Sequence, residues 1–167
     1  MNSTAALQPV DDAETTAVDM EVIDTRFGEL TVDPTKIITF YRGLYGFEHQ
    51  RRFLLTQVPD WPDFFKLLQA VDDPSLSLIV LPLEGGKGPI DQADFNEACA
   101  TLDYDPAATS VIGIVTMRDD PSNQVFTINL KAPLLIDSIR REGHQHVFAS
   151  EKYPLRHPLD TQTENEG

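Results

Sequence analysis

The sequence predicts a mainly β protein, a single antiparallel barrel-like domain with one short helix. Three observations predict it. Short runs rich in Val, Ile, Leu, Phe and Thr recur along the chain, and clusters of Pro, Gly, Asp and Asn separate them. One stretch only, residues 91–102, switches to a helical period. A sheet of this many short strands is best closed into a barrel or sandwich, because closure removes exposed edges.

The elements follow in order. Residues 1–19 carry Asp11, Asp12, Glu14 and Asp19 with no Lys or Arg, and read as a disordered acidic extension. Glu21–Thr25 and Leu30–Val32 read as a hairpin around Phe27-Gly28-Glu29. Asp33-Pro34-Thr35 breaks the chain, and Lys36–Phe40 is the next strand. Gly43 and Gly46 then mark a loop that requires positive φ or close backbone approach. Arg52–Val58 is a strand, ended by Pro59-Asp60-Trp61-Pro62. The apolar runs Phe64–Val71 and Leu76–Leu81 flank Asp72-Asp73-Pro74-Ser75, a turn so tight that the two strands must be antiparallel.

Phe95, Ala98, Cys99 and Leu102 share one face of a helix, with Asp91 as N-cap and Asp94 in its first turn. Strands resume at Ser110–Met117, Val125–Leu130, Leu134–Asp137 and His144–Ala149. The domain therefore spans residues 20–159, and 160–167 reads as a disordered tail containing Asp160, Glu164 and Glu166.

Charge narrows the partners. The chain has 27 acids against 13 bases, a net charge of −14. Half of that excess lies in the two tails, where acids serve solubility. The remainder still repels nucleic acid and anionic membranes, and favours encounter with a basic protein. A lone cysteine, Cys99, excludes an internal disulfide. With no basic, apolar leader and no run of membrane-spanning length, the cytoplasm is the expected compartment.

Catalytic patterns are weak throughout. His144 and His146 share a strand face and read as solvent-facing, since a metal would need further ligands that the sequence does not supply nearby. His157 reads as part of an ordered chain end. No nucleophile elbow occurs, and Gly85-Gly86-Lys87-Gly88 lacks the ending of a phosphate loop. Cys99 reads as a core residue on the helix. No cofactor and no metal are expected. Phe40, Phe47, Phe64, Phe65 and Met117 read mostly as core, with interface anchoring as the other possibility, and one of Tyr41 and Tyr45 is expected at the surface of the glycine turn.

The acid pairs Asp72-Asp73 and Asp119-Asp120 each precede a Pro-Ser turn. The ordinary reading is turn chemistry. The sharper reading is a docking surface for Lys and Arg of a partner, made of Asp72, Asp73, Asp119 and Asp120 with Gln69 and Asn123 beside them.

Four blocks in register resemble the flagellar assembly factor FliW family. They are Ile37-Ile38-Thr39-Phe40 with Gly43-Leu44 and Gly46-Phe47-Glu48, Leu68–Pro74, Asn129–Pro133, and Gln145-His146-Val147 running on to Tyr153–Leu159. The family usually has Pro where Tyr45 stands, often Pro at Tyr41, and often Asn at Asp137. The resemblance implies a cytoplasmic, non-enzymatic regulator. It implies two partners: CsrA, a small basic repressor of flagellin translation bound away from its RNA surface, and flagellin itself. Two other readings stay open on the residues alone. One is a flagellin chaperone without repressor contact. The other is a small-ligand barrel using His144, His146 or His157.

Overall fold

The computed structural model describes residues 20–83, 88–120 and 123–159, and of residues 119, 120, 123 and 124 the backbone only. The two expected tails and the Gly85-Gly86-Lys87 segment lie outside the described residues.

The strands are β1 (Glu21–Thr25), β2 (Gly28–Val32), β3 (Ile38–Phe40), β4 (Arg52–Gln57), β5 (Lys66–Ala70) and β6 (Ser77–Leu83). After the helix α1 (Gln92–Leu102) come β7 (Thr109–Asp120), β8 (Asn123–Ile128), β9 (Leu134–Asp137), β10 (Glu142–Gln145) and β11 (His157–Pro158). Strands β7-β6-β5-β4-β3-β10-β9 pair in that order, and β9 pairs back to β7, closing a seven-stranded barrel. Strand β7 serves both closure and extension. Its first half pairs with β9 and its second half with β8, which carries β11 on its far edge. Strands β1 and β2 form a separate hairpin.

One pairing departs from the antiparallel expectation. Strand β3 runs parallel to β10. No hairpin links these strands, which are about a hundred residues apart in the chain, so no turn dictates their relative direction.

Several boundaries move for local reasons. The strand expected over Lys36–Phe40 begins at Ile38, because Pro34–Lys36 form a 3₁₀ turn. Asp33 Oδ1 caps that turn, accepting from Thr35 N at 3.0 Å and Thr35 Oγ1 at 2.7 Å. The strand expected to start at Phe64 starts at Lys66, since Phe65 N donates to Pro62 O in a preceding turn. The last expected strand, His144–Ala149, is shifted to Glu142–Gln145. Asp137 sets that shift. Its Oδ1 accepts from Ile139 N at 2.9 Å and Arg140 N at 3.0 Å, and Arg141 then adopts φ 58°, reversing the chain early. Asp91 precedes the helix as expected, but its side chain makes no cap. It takes Lys152 Nζ at 2.6 Å instead.

Alternation along the strands sorts the core. Ile38, Phe40, Phe53, Leu68, Ala70, Val80, Ile112, Leu134 and Ile136 face one another from six barrel strands and fill its interior. Leu67, Val111, Val115 and Leu135 point outward, where Phe95, Ala98 and Cys99 of α1 cover them with Phe148 and Tyr153. Strands β5 and β9 are thus buried on both faces, which explains their continuous apolar runs. A third cluster, Val32, Leu54 and Val71, lies under the β1–β2 hairpin.

Asp137 also gives the fold a pH dependence. Its carboxylate, buried apart from a small edge, is held below the ordinary range by the Arg140 N–H first, then by the Ile139 N–H and the Arg140 charge. Arg140 Nε lies 3.0 Å from Oδ2. A depressed folded-state value means the unfolded chain binds the proton more readily. The contribution is therefore complete above about pH 4, the ordinary carboxylate value, and fades as pH falls through the lower folded value. Asp33, Glu48, Asp72 and Asp94 are shifted the same way. Melting temperatures measured from pH 7 down to pH 2 should show Asp137→Asn losing less on acidification than the parent protein.

Candidate protein-binding surface

The register brings distant segments to one end of the barrel. Phe40 lies beside Arg51 and Arg52 at the start of β4, Phe53 pairs with Ala70 at the end of β5, and Gln69 pairs with Ser77 at the start of β6. Strand β7 runs toward the same end, and β10, parallel to β3, delivers His144 and Gln145 there. The glycine loop, the Asp72-Asp73 turn and the paired backbone ends of β7 and β8, Asp120 and Asn123, therefore share this rim.

The glycine loop is its most built part. Gly43 and Gly46 have φ of 66° and 89°. Leu44 and Phe47 bridge back on each other, with Phe47 N donating to Leu44 O at 2.7 Å. Leu44 points down and is buried in the barrel interior. Gln145, itself buried, accepts from Tyr45 N at 2.9 Å through Oε1 and donates to Ala132 O at 3.0 Å through Nε2. Glu48 Oε2 accepts from Gly46 N at 3.1 Å, which lowers the Glu48 pKa. The loop is pinned from both sides, and the aromatics it does not bury stand outward. Tyr41 is 61% exposed, Tyr45 64% and Phe47 42%. Beside Tyr45 a cleft of about 220 Å³ is lined by Arg42, Leu44, Tyr45, Glu48, His144 and Gln145.

Exposed Tyr and Phe beside Arg, held on a rigid frame, form a surface suited to protein contact, since such residues carry large contact area at low entropic cost. Sequence reading placed one of the two tyrosines at the surface and none of the three aromatics in the docking set. The signal was present: Phe40 faces inward, so strand alternation sends Tyr41 outward, and the tight Leu44–Phe47 turn does the same for Tyr45.

The residues expected to dock divide. Gln69 does not belong to any surface: it is 0% exposed. Its Nε2 donates to Ala70 O at 3.0 Å and Pro74 O at 3.1 Å, and its Oε1 accepts from Ser77 Oγ. The side chain holds the β5–β6 turn, which neither polarity nor position in the sequence distinguishes from an outward glutamine. Gln69→Leu keeps the volume but strips Ala70 O and Ser77 Oγ, both buried, and Pro74 O of their partner, at a cost of about 1–3 kcal/mol in urea unfolding.

Asp72 is exposed and paired with Arg52, at 2.5 Å to Nη2 and 3.0 Å to Nε. That hydrogen-bonded pairing pulls the Asp72 pKa down. Asp73 is half-buried and accepts from Ser75 N at 3.1 Å and Ser75 Oγ at 2.7 Å, so turn chemistry occupies one of its oxygens. Asp119 and Asp120 end β7 and Asn123 opens β8. Their side chains lie outside the described residues.

His144 and His146 are not the solvent-facing pair expected of them. Both are half-buried, and burial is the first cause of their lowered pKa values, assisted at His144 by the Arg42 charge. His146 stands edge-on to Phe148, with ring centroids 5.0 Å apart. His157 pairs with Ile128 as part of β11. Among the described residues no three side chains of ligating type cluster closely enough to hold a metal ion. Cys99 is buried on the inner face of α1, and burial raises its pKa. No helix among the described residues is long and apolar enough to cross a membrane.

The family model for the FliW protein matches residues 21–159. The chain belongs to the FliW family. The FliW of Geotalea uraniireducens is 34% identical over 141 residues, covering 84% of each chain. That of Geobacter sulfurreducens is 33% identical over 143 residues, covering 84% of this chain and 86% of the relative. Both relatives are named flagellar assembly factors. A crystal structure of a flagellar assembly factor FliW shares the fold, with a TM-score of 0.61 at 24% identity over 84% of this chain and 97% of that one. The FliW signature blocks thus coincide with structural roles seen here: the glycine loop, the β5–β6 turn and the seat of Gln145.

Proposed function

We propose that this FliW-family protein acts in the cytoplasm as a regulator that works by contact alone. It binds flagellin, and it binds the translational repressor CsrA away from its RNA surface, freeing the flagellin message. Family membership carries the reading, and the physical character of the chain supports it. A net charge of −14 disfavours direct RNA contact and draws a basic repressor. The rim described above offers aromatic anchors and acidic turns on a closed barrel, with protein-contact chemistry rather than a reaction centre. Asp72, Asp73, Asp119 and Asp120, with Asn123 beside them, are the residues we assign to the repressor. Gln69 is withdrawn from that set because its side chain is fully buried.

Calorimetry against each purified partner tests the reading directly. Stable complexes with both support it, and a complex with flagellin alone would favour a chaperone without repressor contact. Because long-range charge steers encounter, the association rate with the repressor should fall by about tenfold or more as ionic strength rises from 0.02 to about 0.5 M. Stopped-flow measurement of a salt-independent rate would remove the steering role.

A further inference from the structure

We propose that the aromatic sector of the rim, Tyr41, Tyr45 and Phe47 with Arg42 and Arg51, is the flagellin site, and that it receives a segment carrying carboxylate and apolar side chains together. The inference rests on the two-partner function proposed above and assigns one partner a surface.

Local charge is the first ground. Residues 36–52 hold Lys36, Arg42, Arg51 and Arg52 against the single acid Glu48, in a chain where acids outnumber bases two to one. Arg52 is tied to Asp72 and Glu48 to the Gly46 N–H. Arg42 and Arg51 are exposed, and neither has a carboxylate within salt-bridge distance among the described residues. The sector thus presents free cations on an otherwise anionic molecule. A basic partner would meet like charge here and acidic residues further round the rim, at the β5–β6 turn and in the sequence at the end of β7. Like-charge juxtaposition at an interface is penalised, so the basic repressor is directed to the acidic turns. The partner without that excess of positive charge is left the arginine sector.

Shape is the second ground. The cleft beside Tyr45 has buried Leu44 in its lining, Arg42 and His144 among its polar groups, and about 220 Å³ of room, enough for one side chain. Burial lowers the His144 pKa, and Arg42 supplies the fixed charge. Tyr45 lines this cleft, Tyr41 and Phe47 are exposed on the same loop as further anchors, and the pinned loop pays little ordering entropy on binding. An apolar side chain placed among the aromatics with an acid against Arg42 satisfies every group of the sector at once.

Flagellin and CsrA are titrated separately against the parent protein and the variants Arg42→Glu, Tyr45→Ser and Lys66→Glu, with melting curves confirming that each variant is folded. Lys66 lies on β5, pairing with Gln57 away from the rim, and reverses the same charge remotely. The expected result is a loss of flagellin affinity of about tenfold or more for Arg42→Glu and for Tyr45→Ser. Lys66→Glu should stay within about twofold, and repressor affinity should not fall for either sector variant. Unchanged flagellin affinity in both sector variants, or a fall in repressor affinity instead, would overturn the assignment while leaving the two-partner function intact. A parent protein that binds neither partner would overturn both.

Discussion

Phe40→Ala should lower the unfolding free energy by about 3–5 kcal/mol. Phe40 is fully buried and stands edge-on to Phe53, with centroids 5.4 Å apart and planes at 83°. It sits where β3 meets β10, the parallel seam of the barrel. Gly143, its register partner on β10, has no side chain because a Cβ there would fall 2.4 Å from the Phe40 ring. Ring and glycine fit as one piece, so alanine at 40 leaves a void that the neighbouring backbone cannot fill without breaking strand pairing. Since whole domains have only about 5–15 kcal/mol of stability, the variant should be near its limit at growth temperature. Urea denaturation would measure the loss, and a change below about 1 kcal/mol would mean the seam is not packed as described.

Gly43→Ala should cost about 2–4 kcal/mol and damage the binding rim together with the fold. Two penalties act together. At φ 66° any side chain is strained. The added Cβ would also lie 2.5 Å from the carbonyl oxygen of Glu48 and 2.6 Å from its Cα. Those are backbone atoms, so no rotamer change relieves the contact and residues 43–48 must move apart. Gly46, whose φ is also positive, has open space where a Cβ would go. Gly46→Ala should therefore cost about 1 kcal/mol, only the conformational part. The contrast between the two glycines, read from melting curves and flagellin titration together, separates close approach from φ alone. Equal effects at both positions would contradict the packing of the loop against Glu48.

The barrel was legible because its strands obey simple period and turn rules. The hairpin at residues 21–32, the antiparallel pair around Asp72-Asp73 and the helix carrying Phe95, Ala98 and Cys99 all follow from local pattern. Closure followed from the edge argument, and the pairing of β9 with β7 supplies it. The parallel seam was not legible, because no turn joins β3 to β10 and sequence pattern carries no information on strand direction across a hundred residues. The early start of β10 depended on two N–H groups reaching back to Asp137, a contact decided by the final turn geometry.

The binding rim shows the same division. The glycine loop was legible from Gly43 and Gly46 as a place of positive φ or close backbone approach, whereas its partner Gln145 lies a hundred residues away and meets Tyr45 only through the fold. Gln69 misled for a related reason. A glutamine on a strand next to an acidic turn has the composition of a surface residue, yet three hydrogen bonds draw it wholly inside. Asp73 resolved toward turn chemistry through Ser75, and Asp72 toward a pair with Arg52 that only sheet register brings together.

RNA release is the most direct test of the whole account. The protein is added to a preformed complex of CsrA with labelled flagellin-message RNA, and RNA anisotropy is followed at several RNA concentrations. The account predicts release of the RNA, formation of a protein–repressor assembly, and a midpoint that rises with RNA concentration only to a plateau, as reciprocal coupling between separate sites requires, where a competitor for the RNA surface would show no plateau. RNA that stays bound at saturating protein would contradict it.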